Sequence, residues 1–392
     1  MRHLIGLVVL FSLVATGSVR IIETAPAGSE LDHPAVPNAI EFMPDLLLAA
    51  DSTIDIAQMY MLYYGASSRG RLLFRLYNAL AEAAQRGVRI RVLLDATVAG
   101  SNPGRTYHRV PAMLQELEGA EVRFCDLRPY SDYPGCMMHA KYLVIDGRTS
   151  VLGSHNWSYG AMADNRELSV VVEDQVIAGD LVKVFEQDWA VAGGEDVRPA
   201  VKGPGTRDHS LECRLAVVSP TQLRHPTMPS VLETLRRLVS EAESTLAIEV
   251  NSFSTRVDFG EASRFGAVES LLLGAVERGV EVRLLVDRWA FEHEPQLFLA
   301  LDDRPGLSVR VADIRRAGPS PSTGTLHSKL AIADSRVALL GTATLSQRQL
   351  LECRNVAVRL GNRQAIEDLN EVFELDWASR YVSPVQEFGP RR

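Results

Sequence analysis

The sequence twice places a lysine two residues after a histidine and an aspartate five residues after that lysine. The two copies of this H-x-K-x4-D pattern are His139, Lys141 and Asp146, and His327, Lys329 and Asp334. Side chains two residues apart on an extended strand point to the same face, so each histidine is predicted to lie beside its lysine. Both pairs are therefore candidates for chemistry.

The residue types in these pairs suit a phosphoryl group. A lysine, together with amide and hydroxyl donors, can neutralise or hydrogen-bond the non-bridging oxygens, while a histidine attacks phosphorus or protonates the leaving oxygen. One histidine cannot readily do both, because attack requires the neutral ring and protonation requires the imidazolium. Two copies of the pattern would provide one histidine for each role.

Further polar residues follow each copy at matching positions. The first copy continues with Ser154, Asn156, Asn165 and Glu167, and the second has Thr342, Thr344, Cys353 and Asn355 in their places. The residues predicted to bind substrate are Ser154, Asn156, Thr342, Thr344 and Asn355.

Glu167 is predicted to be a catalytic residue. If it hydrogen-bonds His139, it stabilises the charged form of that ring, whereas Asn355 could orient His327 without supporting an imidazolium equally; Glu352 is an alternative partner. The pKa values of the two histidines would then differ, as separate acid and nucleophile roles require. His139 is favoured as the nucleophile.

The two aspartates are placed differently from the histidines. Asp146 lies seven residues after His139, an odd offset, so its side chain faces away from the histidine if the strand is unbroken. We keep Asp146 and Asp334 among the candidate catalytic residues, with a purely structural bracing role as the equal alternative.

The pattern belongs to an internal repeat. Residues 139–190 align without a gap on residues 327–378 at an offset of 188, with 17 identities in 52 positions, and both copies end in Phe-Glu-x-Asp-Trp-Ala. Upstream, STIDIAQMY at Ser52 matches STLAIEVNS at Ser244, and RGVRIRVLLD at Arg86 matches RGVEVRLLVD at Arg278. A repeat of this size predicts two copies of one structural unit.

Each copy is predicted to be a strand, a helix, a strand, a loop, the histidine-lysine strand, a second strand and a closing helix. Alternating apolar strands and amphipathic helices predict an α/β fold, with a mixed β-sheet flanked by helices in each half and a pseudo-twofold axis between the halves. The predicted boundaries are 1–20 for a signal peptide or signal anchor, 21–191 for the first half, 192–212 for a linker and 213–392 for the second half.

Composition limits the classes of function. The chain has 392 residues, 46% of them apolar and 23% charged, with a formal net charge of −8 and an isoelectric point of about 5.7. This charge argues against a protein whose whole surface binds nucleic acid, although a local basic cleft remains open. The charged start and apolar run within MRHLIGLVVLFSLVATGS predict export, with a buried N-terminal strand or helix as the alternative.

The sequence supports neither a metal site nor a cofactor site. The four cysteines, Cys125, Cys136, Cys213 and Cys353, lack the CxxC spacing of zinc ligands, and their three disulfide pairings cannot be separated. No glycine-rich nucleotide loop is present. We expect no cofactor and no catalytic metal.

Other repeated residues are interpreted as structural. Trp189 and Trp377 are predicted to be core, and Asp95 and Asp287, at the ends of matching strands, are predicted to cap turns. Three tyrosines in MYMLYYG could line a cleft or pack in the core: Tyr60, Tyr63 and Tyr64.

The duplicated H-x-K-x4-D motif resembles that of the phospholipase D superfamily, over nearly the whole chain beyond the predicted signal. The resemblance implies one active site built from both halves and metal-independent cleavage of a phosphodiester through a phosphohistidine. His139 and His327 would be nucleophile and general acid, with Lys141, Lys329 and Asn156 holding phosphate oxygens. Shorter matches, including IIETAPAGSELDHP and VFELDWASRY, are similar to the single-anchor lumenal branch that includes lysosomal 5′-exonucleases.

These observations leave three hypotheses for function. The first is an exported phospholipase D-type enzyme that hydrolyses a phospholipid or transfers its phosphatidyl group, with peripheral membrane contact. The second is an exported nuclease that acts on single-stranded nucleic acid by the same mechanism. The third is a catalytically weakened binding protein, because the second copy has diverged; its retained His327, Lys329 and Asp334 argue against this hypothesis.

Overall fold

The computed structural model describes residues 17–101, 105–195, 197, 213–317 and 324–388. Most of the predicted signal segment and most of the predicted linker lie outside these residues. The first strand begins at Val19, two residues inside the segment predicted as a signal. No helix in the described part of the chain is long and apolar enough to cross a membrane.

The first half contains seven strands and five helices in the described residues. Its strands are β1 (Val19–Thr24), β2 (Thr53–Gln58), β3 (Arg89–Asp95), β4 (Ala120–Cys125), β5 (Tyr142–Ile145), β6 (Thr149–Gly153) and β7 (Glu167–Glu173). Its helices are α1 (Ala39–Leu48), α2 (Ser68–Gln85), α3 (Ala96–Ser101), α4 (Arg105–Gln115) and α5 (Gln175–Ala192).

The second half repeats this order with its own additions. Its strands are β8 (Cys213–Val218), β9 (Thr245–Val250), β10 (Glu281–Asp287), β11 (Leu307–Ala312), β12 (Lys329–Ala333), β13 (Val337–Gly341), β14 (Asn355–Leu360) and β15 (Val382–Pro384). Its helices are α6 (Val231–Glu241), α7 (Ala267–Glu277), α8 (Arg288–His293), α9 (Pro295–Asp302), α10 (Gln347–Leu351) and α11 (Arg363–Ala378).

Each half forms one mixed sheet. The strand order is β1-β7-β6-β5-β2-β3-β4 in the first and β15-β11-β10-β9-β12-β13-β14-β8 in the second. Strands β2, β3 and β4 are parallel, as are β9, β10 and β11, while the other pairs are antiparallel. The predicted α/β fold with a mixed sheet flanked by helices in each half is confirmed.

Successive side chains along a strand point to opposite faces of its sheet, so each sheet contributes to two apolar cores. One core lies between the two sheets, and the other lies between a sheet and the helices of its own half. In β5, Tyr142 and Val144 face a core shared with the second half, whereas Leu143 and Ile145 face the helices of their own half. The closing helices α5 and α11 contribute to the shared core, and Trp189 and Trp377 stack there on Phe185 and Phe373. Both tryptophans are buried, as predicted.

The sequence pattern missed several elements. Strands β4 and β11, the edge strands β1 and β8, and the strands β7 and β14 extend each sheet beyond the predicted set. The histidine-lysine strand is also shorter than predicted, since β5 begins at Tyr142 and β12 begins at Lys329. The residues just before these strands hydrogen-bond across to the other half, and that pairing cannot be read from local periodicity.

Candidate active site

The backbone before each histidine-lysine strand is hydrogen bonded to the opposite half. The N–H of His139 donates to the carbonyl of Arg354 at 2.9 Å, and the N–H of Arg354 donates to the carbonyl of Met137 at 3.0 Å. The second copy repeats this arrangement, since the N–H of His327 donates to the carbonyl of Arg166 at 2.8 Å. The two motifs are therefore brought together across the junction between the halves.

Buried arginines reinforce the same junction. Arg166 of the first half pairs with Asp376 of the second at 2.7 Å, and Arg354 of the second half pairs with Asp188 of the first at 2.7 Å. Both arginines have no exposed surface. Each one directly precedes the residue that orients a histidine, Glu167 or Asn355, so the ion pairs fix the backbone on which the site is built.

An aspartate binds the backbone N–H of the residue immediately before each histidine. Asp95 accepts a hydrogen bond from the N–H of Met138 at 2.6 Å, and Asp287 accepts one from the N–H of Leu326 at 2.8 Å. Burial raises the pKa of Asp287 to about 6, against the hydrogen bonds that it accepts. These two residues are not among the site residues predicted from the sequence, although their matching positions in the two copies are a signal that could have identified them.

Each histidine is oriented by a residue of the opposite half. The Nδ1 atom of His139 lies 2.9 Å from Oδ1 of Asn355, and Nδ1 of His327 lies 2.8 Å from Oε2 of Glu167. The predicted pairing was the reverse: Glu167 was assigned to His139 and Asn355 to His327. That prediction was wrong because β7 and β14 present their side chains across the junction, which spacing within one copy cannot show.

The amide of Asn355 is fixed in one orientation. Its Nδ2 donates to both the backbone and the side-chain carbonyl of Gln349, at 3.0 and 2.9 Å. Its Oδ1 accepts from Thr342 Oγ1 at 2.8 Å and therefore faces His139 as an acceptor. The Nδ1 of His139 must then carry the proton, which leaves the Nε2 lone pair of a neutral ring free for attack.

The carboxylate of Glu167 is held at the other histidine. Its Oε1 accepts a hydrogen bond from Asn165 Nδ2 at 2.9 Å, and its side chain is fully buried. Burial disfavours the charged form, but the charges of His327, His155 and Lys329 outweigh burial and lower the pKa of Glu167 to about 2. His327 thus has a carboxylate partner, which His139 lacks.

Both lysines are buried beside the histidines. The Nζ of Lys141 donates to the carbonyl of His139 at 2.6 Å, and Lys329 donates likewise to the carbonyl of His327. Burial and the charge on Lys329 lower the pKa of Lys141 well below its usual value, and burial lowers the pKa of Lys329 to about 7. The lowered pKa values show that two buried ammonium groups lack enough negative charge nearby. An anionic ligand such as a phosphate would supply that charge and stabilise both lysines in their protonated form.

The pKa values of the two histidines are controlled differently. Burial, followed by the charge on Lys141, lowers the pKa of His139 well below its usual value, and the hydrogen bond to Asn355 opposes this only in part. Burial also lowers the pKa of His327, and the charge on Glu167 offsets this lowering only in part. The charge on His327 further lowers the pKa of His139.

Asp146 and Asp334 lie at the far ends of their strands. Asp146 accepts hydrogen bonds from the N–H groups of Asp51, Ser52 and Thr53 at 2.7 to 2.9 Å. Asp334 accepts from those of Glu243, Ser244 and Thr245 over the same distances. Their place among the candidate catalytic residues is corrected: these carboxylates brace a turn, because the strand carries them away from the histidines.

The predicted substrate ligands separate into two groups. Ser154 donates to the carbonyl of Leu168 and accepts from its N–H, and Thr342 bonds Asn355, so both hydroxyls serve the protein rather than a ligand. That part of the prediction is corrected, as is the prediction that Asn355 binds substrate. Asn156 is buried with no protein partner for its Oδ1 among the described residues, and Thr344 lines the cleft described next.

A cleft of about 380 Å³ opens beside His139. Most of the residues lining it are polar or charged, among them Asn251, Ser252, Arg256, Thr344 and Arg348. Trp289 and Phe253 supply aromatic surface in the same wall. Tyr60, which does not line this cleft, packs edge-to-face on Tyr107 with ring centroids 5.6 Å apart, and burial together with the charge on Glu167 raises the pKa of Tyr60.

The described residues contain no group of three or more histidine, cysteine, aspartate or glutamate side chains placed to hold a metal ion. All four cysteines are buried, and Cys125, Cys136 and Cys353 are free thiols. Cys125 donates to the carbonyl of Asp188 and Cys136 to that of Glu352. Glu352 itself accepts from Ser131 and Thr221, which places its carboxylate on a structural contact rather than on His327.

A family model and the similar proteins of known name all point to the same family. Residues 43–189 and 235–377 match the family model described as "Cardiolipin synthase, PLD-like domain". Phospholipase D Y of Dictyostelium discoideum is 22% identical over 95% of this chain and 93% of its own, and the 5′-3′ exonuclease PLD3 of Xenopus tropicalis is 24% identical over 92% and 79%.

Solved structures share the fold. Phosphatidylserine synthase of Haemophilus influenzae Rd KW20 superposes with a TM-score of 0.63 and 13% identity, over 94% of this chain and 88% of its own. Polyphosphate kinase from Porphyromonas gingivalis gives a TM-score of 0.59 and 14% identity, over 94% of this chain and 48% of its own.

Proposed function

Because the chain belongs to the family of PLD-like domains, we propose that it is a phospholipase D-type phosphodiesterase that hydrolyses or transfers the phosphatidyl group of a phospholipid. One observation supports the chemistry above all: each histidine is oriented through Nδ1 by a residue of the opposite half, one neutral and one charged. Two buried lysines accompany them.

We assign the first step to His139 as nucleophile and His327 as general acid. The Nε2 lone pair of His139 forms a bond to phosphorus while the bond from phosphorus to the leaving oxygen breaks. His327, whose imidazolium is stabilised by Glu167, transfers its Nε2 proton to that oxygen. Lys141 and Lys329 neutralise the non-bridging oxygens, and the product is a phosphohistidine.

The second step reverses the roles. His327, now neutral, takes a proton from water or an alcohol, the oxygen of which bonds to phosphorus as the bond to His139 breaks. Water gives hydrolysis and an alcohol gives transfer. His139 returns neutral and His327 returns protonated, so the site is restored without a metal or a cofactor.

A second substrate class is single-stranded nucleic acid. It is favoured by the polar lining and the two arginines of the cleft beside His139, and by relatives named as 5′-3′ exonucleases. Either substrate agrees with our proposal that the protein acts outside the cytoplasm, with an N-terminal signal or anchor. Peripheral contact with a membrane belongs to the phospholipid proposal alone.

Covalent trapping tests the mechanism directly. A phosphodiester with a 4-nitrophenol leaving group does not need the acid, so His327→Ala should form the adduct on His139 but release it slowly, because the base for the second step is missing. His139→Ala should form none. Alkaline quenching and mass spectrometry locate the adduct; an adduct on His327 in the wild-type protein would reverse our assignment.

Turnover with chelator present tests the substrate. Phosphatidylglycerol vesicles and a labelled single-stranded oligonucleotide are compared side by side, and full activity in chelator is expected for the true substrate. Complete loss in chelator would contradict the metal-independent mechanism. Absence of both turnover and adduct would instead support the catalytically weakened binding protein.

A further inference from the structure

Trp289 is exposed where a tryptophan is not expected to be. Half of its surface, 50%, is accessible, more than for Leu48 or Val176, the other large apolar side chains that stand exposed in the described residues. It lies on α8 in the wall of the cleft that also contains His139. An exposed aromatic ring in the wall of a polar catalytic cleft marks a contact surface for a ligand.

The ring is held in place by its surroundings. Its centroid lies 4.1 Å from that of His293, whose Nδ1 is 2.7 Å from the carbonyl of Trp289. The backbone N–H of Trp289 donates to Asp287, the residue that also holds the chain before His327. The aromatic pair is therefore fixed relative to the catalytic centre.

The cleft around this ring carries charges suited to phosphates. Arg256 and Arg348 both line it. Arg256 donates to the carbonyl of His293 and lies 3.8 Å from a carboxylate oxygen of Glu294, and Arg348 donates to the hydroxyl of Tyr133, so these contacts use only part of the five donors of each guanidinium. The two acidic residues in the wall are already bonded within the protein: Asp258 accepts from the N–H of Arg348, and Glu294 from Ser254 and Thr255.

We infer that Trp289, paired with His293, is a stacking subsite for a nucleobase adjoining the scissile phosphate of a single-stranded nucleic acid. This inference rests on the second substrate class of the proposed function. A stacked base uses the exposed face of the ring, while Arg256 and Arg348 bind neighbouring phosphates; single-strand binding sites commonly combine these two features. The two arginines beside the ring favour a ligand that carries several phosphates over a lipid acyl chain.

The test compares two oligonucleotides of equal length, one with bases and one in which every residue is abasic. Both carry the same phosphates, so the ratio of their kcat/KM values reports base recognition alone. We expect the wild-type protein to prefer the base-bearing substrate by about tenfold or more. Trp289→Ala should bring this ratio close to one, Trp289→Phe should retain most of it, and Val176→Ala, outside the cleft, should leave it unchanged.

Several outcomes would overturn the inference. A Trp289→Ala protein that loses activity equally on both oligonucleotides would show a structural role rather than base stacking. A wild-type protein that hydrolyses phosphatidylglycerol vesicles but neither oligonucleotide would remove this subsite while leaving the phospholipase D-type function intact. Failure on the vesicles and on both oligonucleotides would refute the proposed function itself.

Discussion

At the scale of single residues, the decisive feature is the difference between the partners of the two histidines. Asn355 offers His139 a neutral acceptor, so nothing stabilises an imidazolium there beyond one hydrogen bond. Glu167 offers His327 a full negative charge inside the protein, where charges interact strongly. The ring with a neutral acceptor suits the nucleophile, and the ring beside a carboxylate suits the acid. This leads to the nucleophile favoured from the sequence, although the pairing predicted there was reversed.

Replacing the charged partner should move the pH profile. Glu167 raises the pKa of His327, so Glu167→Gln should lower that pKa and deprotonate the acid at lower pH. We expect the alkaline limb of the profile of kcat against pH to move to lower pH, with kcat near neutrality reduced about 10- to 100-fold. The glutamine keeps hydrogen-bonding groups at the same position, so folding is preserved.

Asn355→Ala is the matched control for this prediction. It removes the acceptor that sets the tautomer of His139, so kcat should fall, but the alkaline limb should stay in place because His327 keeps Glu167. If Glu167→Gln moved the acidic limb instead, His327 would be the group that must be neutral, and the roles of the two histidines would be exchanged.

At the scale of elements, each histidine-lysine strand is held at both ends. Asp95 and Asp287 bind the backbone before the histidines, and Asp146 and Asp334 bind the turn that precedes β2 or β9. Both far-end aspartates have a φ of 52°, a left-handed conformation that aspartate and asparagine tolerate better than most residues. In the H-x-K-x4-D spacing shared by the two copies, the histidine and lysine thus belong to the candidate active site, and the aspartate has a structural role.

Asp146→Asn should affect stability and leave catalysis intact. Asparagine tolerates the backbone conformation but loses the charge that accepts three N–H groups, and we expect the free energy of unfolding to fall by about 1–3 kcal/mol. Urea denaturation measures this change, and kcat should stay within about twofold of wild type. A loss of kcat of about 100-fold or more, with unchanged stability, would return Asp146 to the catalytic residues.

The same aspartates predict a dependence of stability on pH. The hydrogen bonds from Asp51, Ser52 and Thr53 lower the pKa of Asp146 against burial, and the corresponding bonds lower that of Asp334. A carboxylate whose pKa is lower when folded contributes stability above its unfolded pKa of about 3.9 and loses it as the pH falls toward the folded value. Asp146→Asn should weaken this acid-dependent loss, as measured by urea denaturation between neutral and acidic pH.

The sequence predicts the two sheets and the main site residues, but it does not predict which residue orients each histidine or that Trp289 lines the cleft. Two copies of one motif in a gapless repeat predict both the paired sheets and the meeting of His139 with His327. Spacing within one copy cannot show that Glu167 serves the histidine of the other, because that contact depends on how the sheets pack. Trp289 has no counterpart in the repeat, since residue 97 at the matching position is a threonine.

At the scale of the whole molecule, the active site is a property of the junction between the halves. The backbone carbonyl of Arg354 accepts the hydrogen bond from the N–H of His139. The side chain of Arg354 binds Asp188, Gln187 and Ser219 near the junction. Arg166 makes the reciprocal contacts with Asp376 and with Glu23. Stability of the junction and integrity of the site should therefore change together.

Arg354→Met tests this coupling. The substitution leaves Asp188 buried without its partner, so we expect a loss of about 3–5 kcal/mol in the free energy of unfolding and a parallel loss of activity. Arg354→Met combined with Asp188→Leu removes both charges and should recover most of the stability and the activity, because the backbone hydrogen bonds to His139 need no side chain. Arg363→Met, in the exposed pair with Glu367, should leave the urea midpoint unchanged. If the double variant regained stability but stayed inactive, the Arg354 side chain would have a role at the site beyond fixing the junction.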